Sequence, residues 1–296
     1  MTNYMMKTSI VIPNFNGEDL LAKNLPNVLK SGADEVVILD DGSVDKSLEL
    51  LSKLKIDNGQ LKILEHKKNQ GFIPSVNDLF NAATSEVVVL LNNDVLVNPD
   101  FLKPLLKHFE NPKVFAVNLH EEGNGPAVAF WKDGFFEFKN GSERGYQKSA
   151  WASGGSSAIR REYWEKLGGF DPLFAPFYWE DIDISFRALK MGWEILWEPA
   201  AKVKHEHEST IRKINQRYVR WVRERNQLLF IWKNITNPKF KSGHRTGLLK
   251  RLLTKPGYWV PFLWALWKTN KIASSKTPRN DVGYERSDME VINYAS

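Results

Sequence analysis

No cysteine occurs in the 296 residues of this chain, which excludes disulfide bonds, thiolate zinc sites and cysteine nucleophiles. The sequence also lacks any apolar run near the roughly 20 residues that a membrane-spanning helix needs. Its first residues enter a predicted strand directly, without the apolar stretch of a secretory signal. Together with the reducing compartment that missing cysteine favours, these absences predict a cytoplasmic protein.

Two phosphate-binding backbone motifs are absent as well. There is no P-loop, in which Gly-Lys precedes Ser or Thr, and no Gly-rich dinucleotide fingerprint follows the first strand. A bound phosphate would therefore have to be neutralised by a metal ion or by basic side chains.

Charge is distributed unevenly along a chain of otherwise ordinary composition. Hydrophobic residues make up 42% and charged residues 26%, as in soluble globular proteins. Residues 211–296 carry 18 Lys and Arg against 5 Asp and Glu, a net charge of +13, and since the whole chain carries +6, residues 1–210 carry −7. The basic end is either a solvated helical surface or a contact for phosphate, anionic lipid or nucleic acid.

Apolar periodicity predicts strands and helices that alternate through the first half of the chain. The predicted strands are residues 9–12, 35–39, 61–64, 87–91 and 114–117, and the helices between them are 20–29, 48–54, 75–83 and 99–109. This order predicts an α/β protein with a doubly wound, mostly parallel sheet. Then follow a hairpin at 127–138, a Gly/Ser loop at 153–157, helices at 161–167 and 182–191, and a strand at 193–197. We expect a domain of residues 1–210 and a basic, aromatic, helical extension of residues 211–296.

Polar residues follow three of the predicted strands, at residues 13–17, 40–45 and 92–94. Because the carboxyl ends of parallel strands meet at one edge of a sheet, these clusters would surround a single crevice. Asp94, preceded by two amides, suits an Mg²⁺ or Mn²⁺ ion that itself holds phosphate oxygens. The alternative is that each cluster only turns the chain and caps the next helix.

The order of these pieces resembles the family 2 glycosyltransferases with a GT-A fold, in particular the bacterial, rhamnosyltransferase-like members. The resemblance runs from about residue 8 to residue 230, and any one of its motifs alone is weak. The segments that carry it are residues 8–17 (TSIVIPNFNG), 39–45 (LDDGSVD), 69–72 (NQGF), 91–94 (LNND), 152–161 (ASGGSSAIRR), 168–171 (GGFD), 179–183 (WEDID) and 203–205 (VKH).

The resemblance implies roles on the nucleotide side of the site. Asp94 would be a metal ligand in the place of the family's DxD motif, and His205 would complete the metal or diphosphate site. Asn92 stands where that motif has its first acid, which implies weaker metal binding. Without the resemblance, a histidine such as His205 would be read as an ordinary surface or core residue. The residues that would contact the base, ribose and diphosphate are Pro13, Phe15, Asn16, Asp40, Asp41, Asn69, Gly71, Asn92 and Asn93.

On the acceptor side, Asp181 falls where the family keeps its catalytic base. Inverting sugar transfer needs a carboxylate that takes the proton of the attacking hydroxyl. Other readings stay open. Glu180 and Asp181 can simply be acids that are stabilised at a helix N-terminus, and tryptophans usually pack in cores. Asp183 and Arg187 can pair with each other. The residues that would contact the sugar and the acceptor are Trp151, Gly154, Gly155, Trp179 and Glu180.

The resemblance thus implies an inverting, hexosyl- or deoxyhexosyl-transferring enzyme that uses Mn²⁺ or Mg²⁺. Its donor would be a UDP-, dTDP- or GDP-sugar, its acceptor a glycan or lipid-linked hydroxyl in surface polysaccharide synthesis, with no nucleic acid partner. Alternatives are a nucleotidyltransferase, although no basic residue follows the first strand, or a non-catalytic nucleotide- or carbohydrate-binding module. Residues 257–268, rich in Trp and flanked by Lys and Arg, would lie peripherally on the inner face of a membrane. Otherwise they pack on the protein or form a dimer contact.

Overall fold

A computed structural model describes residues 6–57, 59–145, 147–205, 214–274 and 283–295. Its strands are β1 (Thr8–Asn14), β2 (Glu35–Asp40), β3 (Leu61–Glu65), β4 (Val87–Leu91), β5 (Val95–Val97), β6 (Val114–Glu121), β7 (Ala127–Lys132), β8 (Phe135–Asn140), β9 (Gln147–Lys148), β10 (Ser156–Arg160) and β11 (Glu194–His205). Its α-helices are α1 (Glu18–Leu29), α2 (Ser47–Asp57), α3 (Phe72–Ala82), α4 (Leu102–Leu106), α5 (Arg161–Leu167), α6 (Glu180–Lys190), α7 (Gln216–Asn234), α8 (Pro238–Thr254), α9 (Trp259–Ser274) and α10 (Asp288–Ile292).

One large sheet organises the fold, in the order β3-β2-β1-β4-β10-β6-β11-β5, with β9 beside β11. β1 is parallel to β2 and β4, and β2 is parallel to β3. β10 enters antiparallel between β4 and β6, and β11 then runs parallel to β6. The predicted α/β class with a doubly wound, mostly parallel sheet is confirmed, with β10 as an antiparallel insertion.

The alternation of side chains along β4 explains why helices cover both faces of the sheet. All five residues of β4 are buried. Val88 and Leu90 pack in a hydrophobic cluster with α3, α6 and α7. Val87, Val89 and Leu91 pack in a second cluster with α1 and α4. Successive strand side chains point to opposite faces, so an unbroken apolar run is what a two-sided sheet requires.

Several elements differ from the sequence-based expectation. Residues 156 and 157, predicted as loop, begin β10, and β11 extends to His205 rather than ending near residue 197. The predicted helix at 99–109 is interrupted: α4 is flanked by 3-10 turns and contains Pro104, which has no N–H to donate. The hairpin of β7 and β8 is confirmed, and positive φ angles at Asp133 and Gly134 fit its tight turn.

The carboxyl-terminal helices pack on the rest of the protein. Four consecutive residues of α7, Leu228 to Ile231, belong to the same hydrophobic cluster as α3 and α6. The predicted boundary between residues 210 and 211 lies outside the described residues and stays a prediction. Among the helices that the structure describes, none combines the length and apolar character needed to cross a bilayer.

Candidate active site

Side-chain hydrogen bonds join the carboxyl ends of β1, β2 and β4. The amide of Asn14 donates to a carboxylate oxygen of Asp40 over 2.9 Å and accepts from the amide of Asn93 over 2.8 Å. Gly17 lies against this junction, since a Cβ there would come within 2.3 Å of the Asn93 amide nitrogen. The three polar clusters therefore meet in one crevice, as the sequence predicts.

Asp40 and Asp41 hold the walls of the crevice together. Asp40 is fully buried and also accepts from the backbone N–H and the hydroxyl of Ser43, at 2.8 and 2.7 Å. Asp41 accepts from the N–H groups of Gln70 and Gly71 over 2.9 and 2.8 Å. The Asp41 carboxylate thus fixes the loop that leads into α3, whereas Asp40 fixes the turn after β2. Their predicted contacts with a nucleotide stay predictions.

The accessible part of the nucleotide side comes from the loop after β1 and the loop before α3. Pro13 and Phe15 are half-buried, and Asn16 and Asn69 are exposed at the rim. Asn16 adopts a φ of 50° and accepts from the N–H of Val44 over 2.8 Å, which ties the two neighbouring loops. Their predicted contacts with a base and ribose stay predictions.

A second cluster contains the two predicted metal ligands. His205 lies with Nε2 2.8 Å from a carboxylate oxygen of Asp94 and Nδ1 3.1 Å from one of Glu121. Burial disfavours the charged ring, but the hydrogen bonds to both carboxylates prevail and raise the pKa of His205 to about 10. In the described part of the chain, no three His, Asp or Glu side chains are arranged as a complete metal cage. The donor set nevertheless suits Mn²⁺ or Mg²⁺, which accept carboxylate oxygen and, for Mn²⁺, imidazole nitrogen.

A pair of glycines connects this cluster to the acceptor side. The N–H of Asn92 donates to the carbonyl of Gly155 over 2.9 Å, and a Cβ on Gly155 would approach the Asn92 amide nitrogen to 2.4 Å. Gly154 donates its N–H to the carboxylate of Asp181 over 3.3 Å. The 154–155 backbone therefore spaces Asp181 from the end of β4.

Asp181, the second residue of α6, carries a half-buried carboxylate. Burial raises its pKa to about 6, against the opposing effect of hydrogen bonds from the N–H groups of Ile182 and Gly154. Its neighbour Glu180 is only 5% exposed, and one of its oxygens has no hydrogen-bond partner among the described residues. Burial, and then the charges of Asp181 and Asp183, raise the pKa of Glu180 well above its usual range. Burial and the neighbouring carboxylates therefore favour the neutral form of Glu180 over its charged form.

Of the two predicted aromatic contacts, the structure leaves only one accessible. Trp151 is half-buried, and its ring lies 4.8 Å from that of the exposed Phe138. Trp179 is 3% exposed and lies 5.2 Å from the ring of Phe230 in the core. Trp179 therefore packs mainly in the core, and its predicted contact with the sugar or the acceptor stays a prediction.

Sequence reasoning missed Glu121, which lies at the carboxyl end of β6 beside His205. The other site residues were found because polar residues follow a predicted strand. Glu121 would have been found in the same way if the strand predicted at 114–117 had been extended to its observed end. The alternative reading of Asp183 is confirmed, since its carboxylate lies 2.9 Å from Nε of Arg187.

Solved structures with similar folds define the class. The chain aligns with the crystal structure of GalNAc-T7 with UDP, GalNAc and Mn²⁺ at a TM-score of 0.66 and 19% identity, over 81% of this chain and 49% of that one. It aligns with the mannosyltransferase PcManGT from Pyrobaculum calidifontis, in complex with GDP-Man and Mn²⁺, at a TM-score of 0.59 and 19% identity, over 93% and 77% of the two chains. The fold is that of the GT-A glycosyltransferases.

Sequence comparison identifies the family. Residues 9–168, more than half of the chain, match the model of glycosyl transferase family 2, and the chain belongs to that family. It is 26% identical to N-acetylgalactosaminyltransferase 7 of Drosophila melanogaster over 67% of this chain, but spans 39% of that relative's length. It is also 26% identical to the O-antigen chain rhamnosyltransferase RfbN of Salmonella typhimurium, over 72% of this chain and 70% of the relative.

Proposed function

We propose that this protein is an inverting glycosyltransferase that moves a sugar from a nucleotide-diphosphate donor to a hydroxyl acceptor. The observation that carries the proposal is the position of Asp181. Its carboxylate is held by the 154–155 loop beside the end of β4, and its pKa of about 6 leaves it ionised at neutral pH. A base with a pKa just below the working pH is well matched to accept a proton from a hydroxyl group.

In the proposed reaction, Asp181 takes the proton of the acceptor hydroxyl while the acceptor oxygen attacks the anomeric carbon. The new carbon–oxygen bond forms on the face opposite the nucleotide, so the anomeric configuration inverts. The bond to the diphosphate oxygen breaks, and its electron pair leaves with the nucleoside diphosphate. Burial, and then the charges of Asp181 and Asp183, raise the pKa of Glu180, which disfavours a second negative charge beside the base.

Asp94 and His205 would hold a divalent cation, Mn²⁺ or Mg²⁺, with Glu121 in contact with His205. The imidazole ring of His205 would release its proton as the metal binds. When bound, such an ion would offset the negative charge of the donor's diphosphate. The two structural neighbours described above contain Mn²⁺, which supports a metal but leaves this chain's preference as a proposal.

The donor is proposed to be a UDP-, dTDP- or GDP-sugar and the transferred group a hexosyl or deoxyhexosyl unit. The neighbours' UDP and GDP-Man and the relationship to an O-antigen rhamnosyltransferase support this range. The acceptor is proposed to be a glycan or lipid-linked hydroxyl in surface polysaccharide synthesis, and the location the cytoplasmic face of the membrane.

A screen of nucleotide sugars tests the proposal. The purified chain is incubated with each UDP-, GDP- and dTDP-sugar, with Mn²⁺, with Mg²⁺ or with EDTA, and free nucleoside diphosphate is measured. At least one donor should release its diphosphate, and Asp181→Asn should suppress that release. Absence of release and of donor binding across the whole panel would refute the proposal.

The same assay separates the two alternatives. A nucleotidyltransferase would release pyrophosphate from a nucleoside triphosphate rather than a diphosphate from a nucleotide sugar. A non-catalytic module would bind a donor in calorimetry without breaking it down.

A further inference from the structure

We propose that α9, together with the end of α8, is a docking surface for an anionic lipid membrane. The docking face is defined by exposed apolar side chains on these two helices: Leu249, Leu253, Trp259, Val260, Leu263, Leu266 and Trp267. Membrane binding by this face is a property separate from sugar transfer and does not depend on the proposed catalytic activity.

The spacing on α9 makes these residues one face of the helix. Trp259, Val260, Leu263, Leu266 and Trp267 follow each other at intervals of one or three residues, and they are 45%, 43%, 56%, 43% and 71% exposed. The side of α9 that faces the protein carries Pro261 and Ala265, which are buried. Soluble monomers rarely expose a large apolar patch, and such a patch marks an interaction site.

The charge around the docking face fits an anionic surface. Residues 237–274 contain eight Lys and Arg and no Asp or Glu. The basic side chains that are exposed on α8 and in the following turn are Lys239, Lys241, Arg245, Lys250 and Lys255. Each basic residue near an anionic leaflet contributes favourably, and Trp is enriched at the level of the headgroups.

The same charge disfavours a second copy of this chain as the occupant. A dimer through the docking face would bring two segments of charge +8 together without an acidic residue in either. Like charges placed across an interface repel, whereas anionic headgroups neutralise them. At 16 residues α9 is also too short to span a bilayer, so its apolar face would lie in the interface.

The docking face adjoins the acceptor side of the site. The guanidinium of Arg225 lies 4.0 Å from the ring centre of Trp264 in α9, and Nζ of Lys268 lies 3.2 Å from the carbonyl oxygens of Leu173 and Ala175. Leu173 and Ala175 lie in the segment that leads into α6, which contains Asp181. Resting here on the proposed function, we infer that the acceptor is a lipid-linked hydroxyl presented by the same membrane.

Vesicle sedimentation of the full-length chain tests the docking. Phosphatidylcholine vesicles are compared with vesicles that contain equal amounts of phosphatidylglycerol and phosphatidylcholine. We expect binding to the anionic vesicles at low salt and markedly weaker binding to the neutral ones. Leu263→Ser with Trp267→Ser should weaken partitioning at least about tenfold, because two large apolar groups are lost. Lys250→Glu with Lys255→Glu should weaken it by more than about tenfold.

Matched controls separate the docking face from general effects. Met289→Ser changes an exposed apolar residue of α10, and Lys30→Glu with Lys103→Glu reverses two exposed charges far from α9; both should bind like the parent. Circular dichroism verifies folding, and donor hydrolysis without lipid should be unchanged in every variant. Full-length variants are used because buried Lys190 and Asp288 form a 2.8 Å ion pair that truncation would break.

Three outcomes would overturn the docking proposal. The parent fails to bind anionic vesicles, or it binds neutral vesicles equally well, or ultracentrifugation shows a dimer that Leu263→Ser with Trp267→Ser dissociates while no vesicle binds. Loss of donor hydrolysis in a docking variant would count against the separation of the two surfaces. Vesicle binding by a protein that hydrolyses no donor would retain the docking surface and reject the proposed function.

Discussion

The side-chain amide nitrogen of Asn226 lies 2.7 Å from the carbonyl oxygen of Phe174, although 52 residues separate them in sequence. The same nitrogen contacts the carbonyl oxygens of Phe177 and Tyr178 at 3.0 and 2.8 Å. Asn226 is fully buried in α7, and its own oxygen accepts from Arg225. A residue of the carboxyl-terminal region therefore fixes the loop that ends at the candidate base.

We expect Asn226→Ala to lower turnover while leaving the KM for the donor nearly unchanged. The loop 174–178 would lose its anchor, and Asp181 would be less well positioned, whereas hydrogen bonds among the strand ends of β1, β2 and β4 hold the nucleotide side of the crevice. Unpaired carbonyls should also cost about 1–3 kcal/mol of unfolding free energy. Steady-state kinetics and denaturant unfolding measure the two effects. Gln216→Ala, on an exposed turn of the same helix, should change neither, and an equal rise in donor KM would argue against a positioning role.

Asp181→Asn should bind nucleotide normally and lose about 10²–10⁴-fold in turnover, the usual contribution of a positioned base. Glu180→Gln is the matched control. Because burial and the nearby carboxylates raise the pKa of Glu180 and so favour its neutral form, an amide of the same shape should retain turnover within several-fold. Calorimetry with the nucleoside diphosphate and an initial-rate assay measure binding and turnover. If Asp181→Asn remains active and Glu180→Gln does not, the two roles are exchanged.

The pH dependence of the reaction should report the same carboxylate. A base must be ionised to act, and burial raises the pKa of Asp181 from 3.8 to about 6. Activity should therefore be full above about pH 7 and fall tenfold per pH unit below about pH 6. The rate kcat/KM for the acceptor is to be measured from pH 5 to pH 8, with the unfolding transition recorded at each pH. A value of kcat/KM that stays level down to about pH 5 would mean that a carboxylate of ordinary pKa limits the reaction.

How far the sequence predicts this site depends on whether the governing contacts are local. The polar clusters after β1, β2 and β4 could be identified, because a buried strand that ends in polar residues is a local pattern. Their meeting follows from the geometry of parallel strands and is realised in the Asn14–Asp40 and Asn14–Asn93 hydrogen bonds. Helix and strand order through residue 117, apart from the short β5, follows from the same local periodicity.

The contacts that escaped prediction connect segments far apart in sequence. Nothing local distinguishes Trp179, which is buried against α7, from Trp151, which is half-buried beside Phe138. Asn226 contacts a loop about 50 residues away in sequence. A single polar residue in a basic helix does not indicate which distant loop it will bind. β10 was hidden for another reason, since its small serines resemble a loop until β4 and β6 pair with it on both sides.

Asp94→Ala should abolish the tightening of nucleoside diphosphate binding by Mn²⁺, because it removes a charged oxygen ligand of the proposed ion. His205→Ala should give a smaller loss of the same kind. Calorimetry with UDP, GDP or dTDP, with Mn²⁺ and with EDTA, measures the difference. Asp100→Ala, an exposed carboxylate six residues further along the chain, is the control and should keep the full metal effect. Equal affinity with Mn²⁺ and EDTA in the parent would remove the metal from the proposed site.

The two glycines of the 154–155 loop should respond differently to the same substitution. A Cβ on Gly155 would lie 2.4 Å from the amide nitrogen of Asn92, so Gly155→Ala must displace Asn92 or the loop. A Cβ on Gly154 would lie 3.4 Å from the Asp181 carboxylate, which is an ordinary contact. We expect Gly155→Ala to weaken donor binding and to lower the free energy of unfolding by about 1–3 kcal/mol, as overpacking does. Gly154→Ala should stay close to the parent in donor binding and stability. Donor titration and urea unfolding of both variants decide the matter, and similar losses at the two positions would mean that the approach of Gly155 to Asn92 does not set the shape of the site.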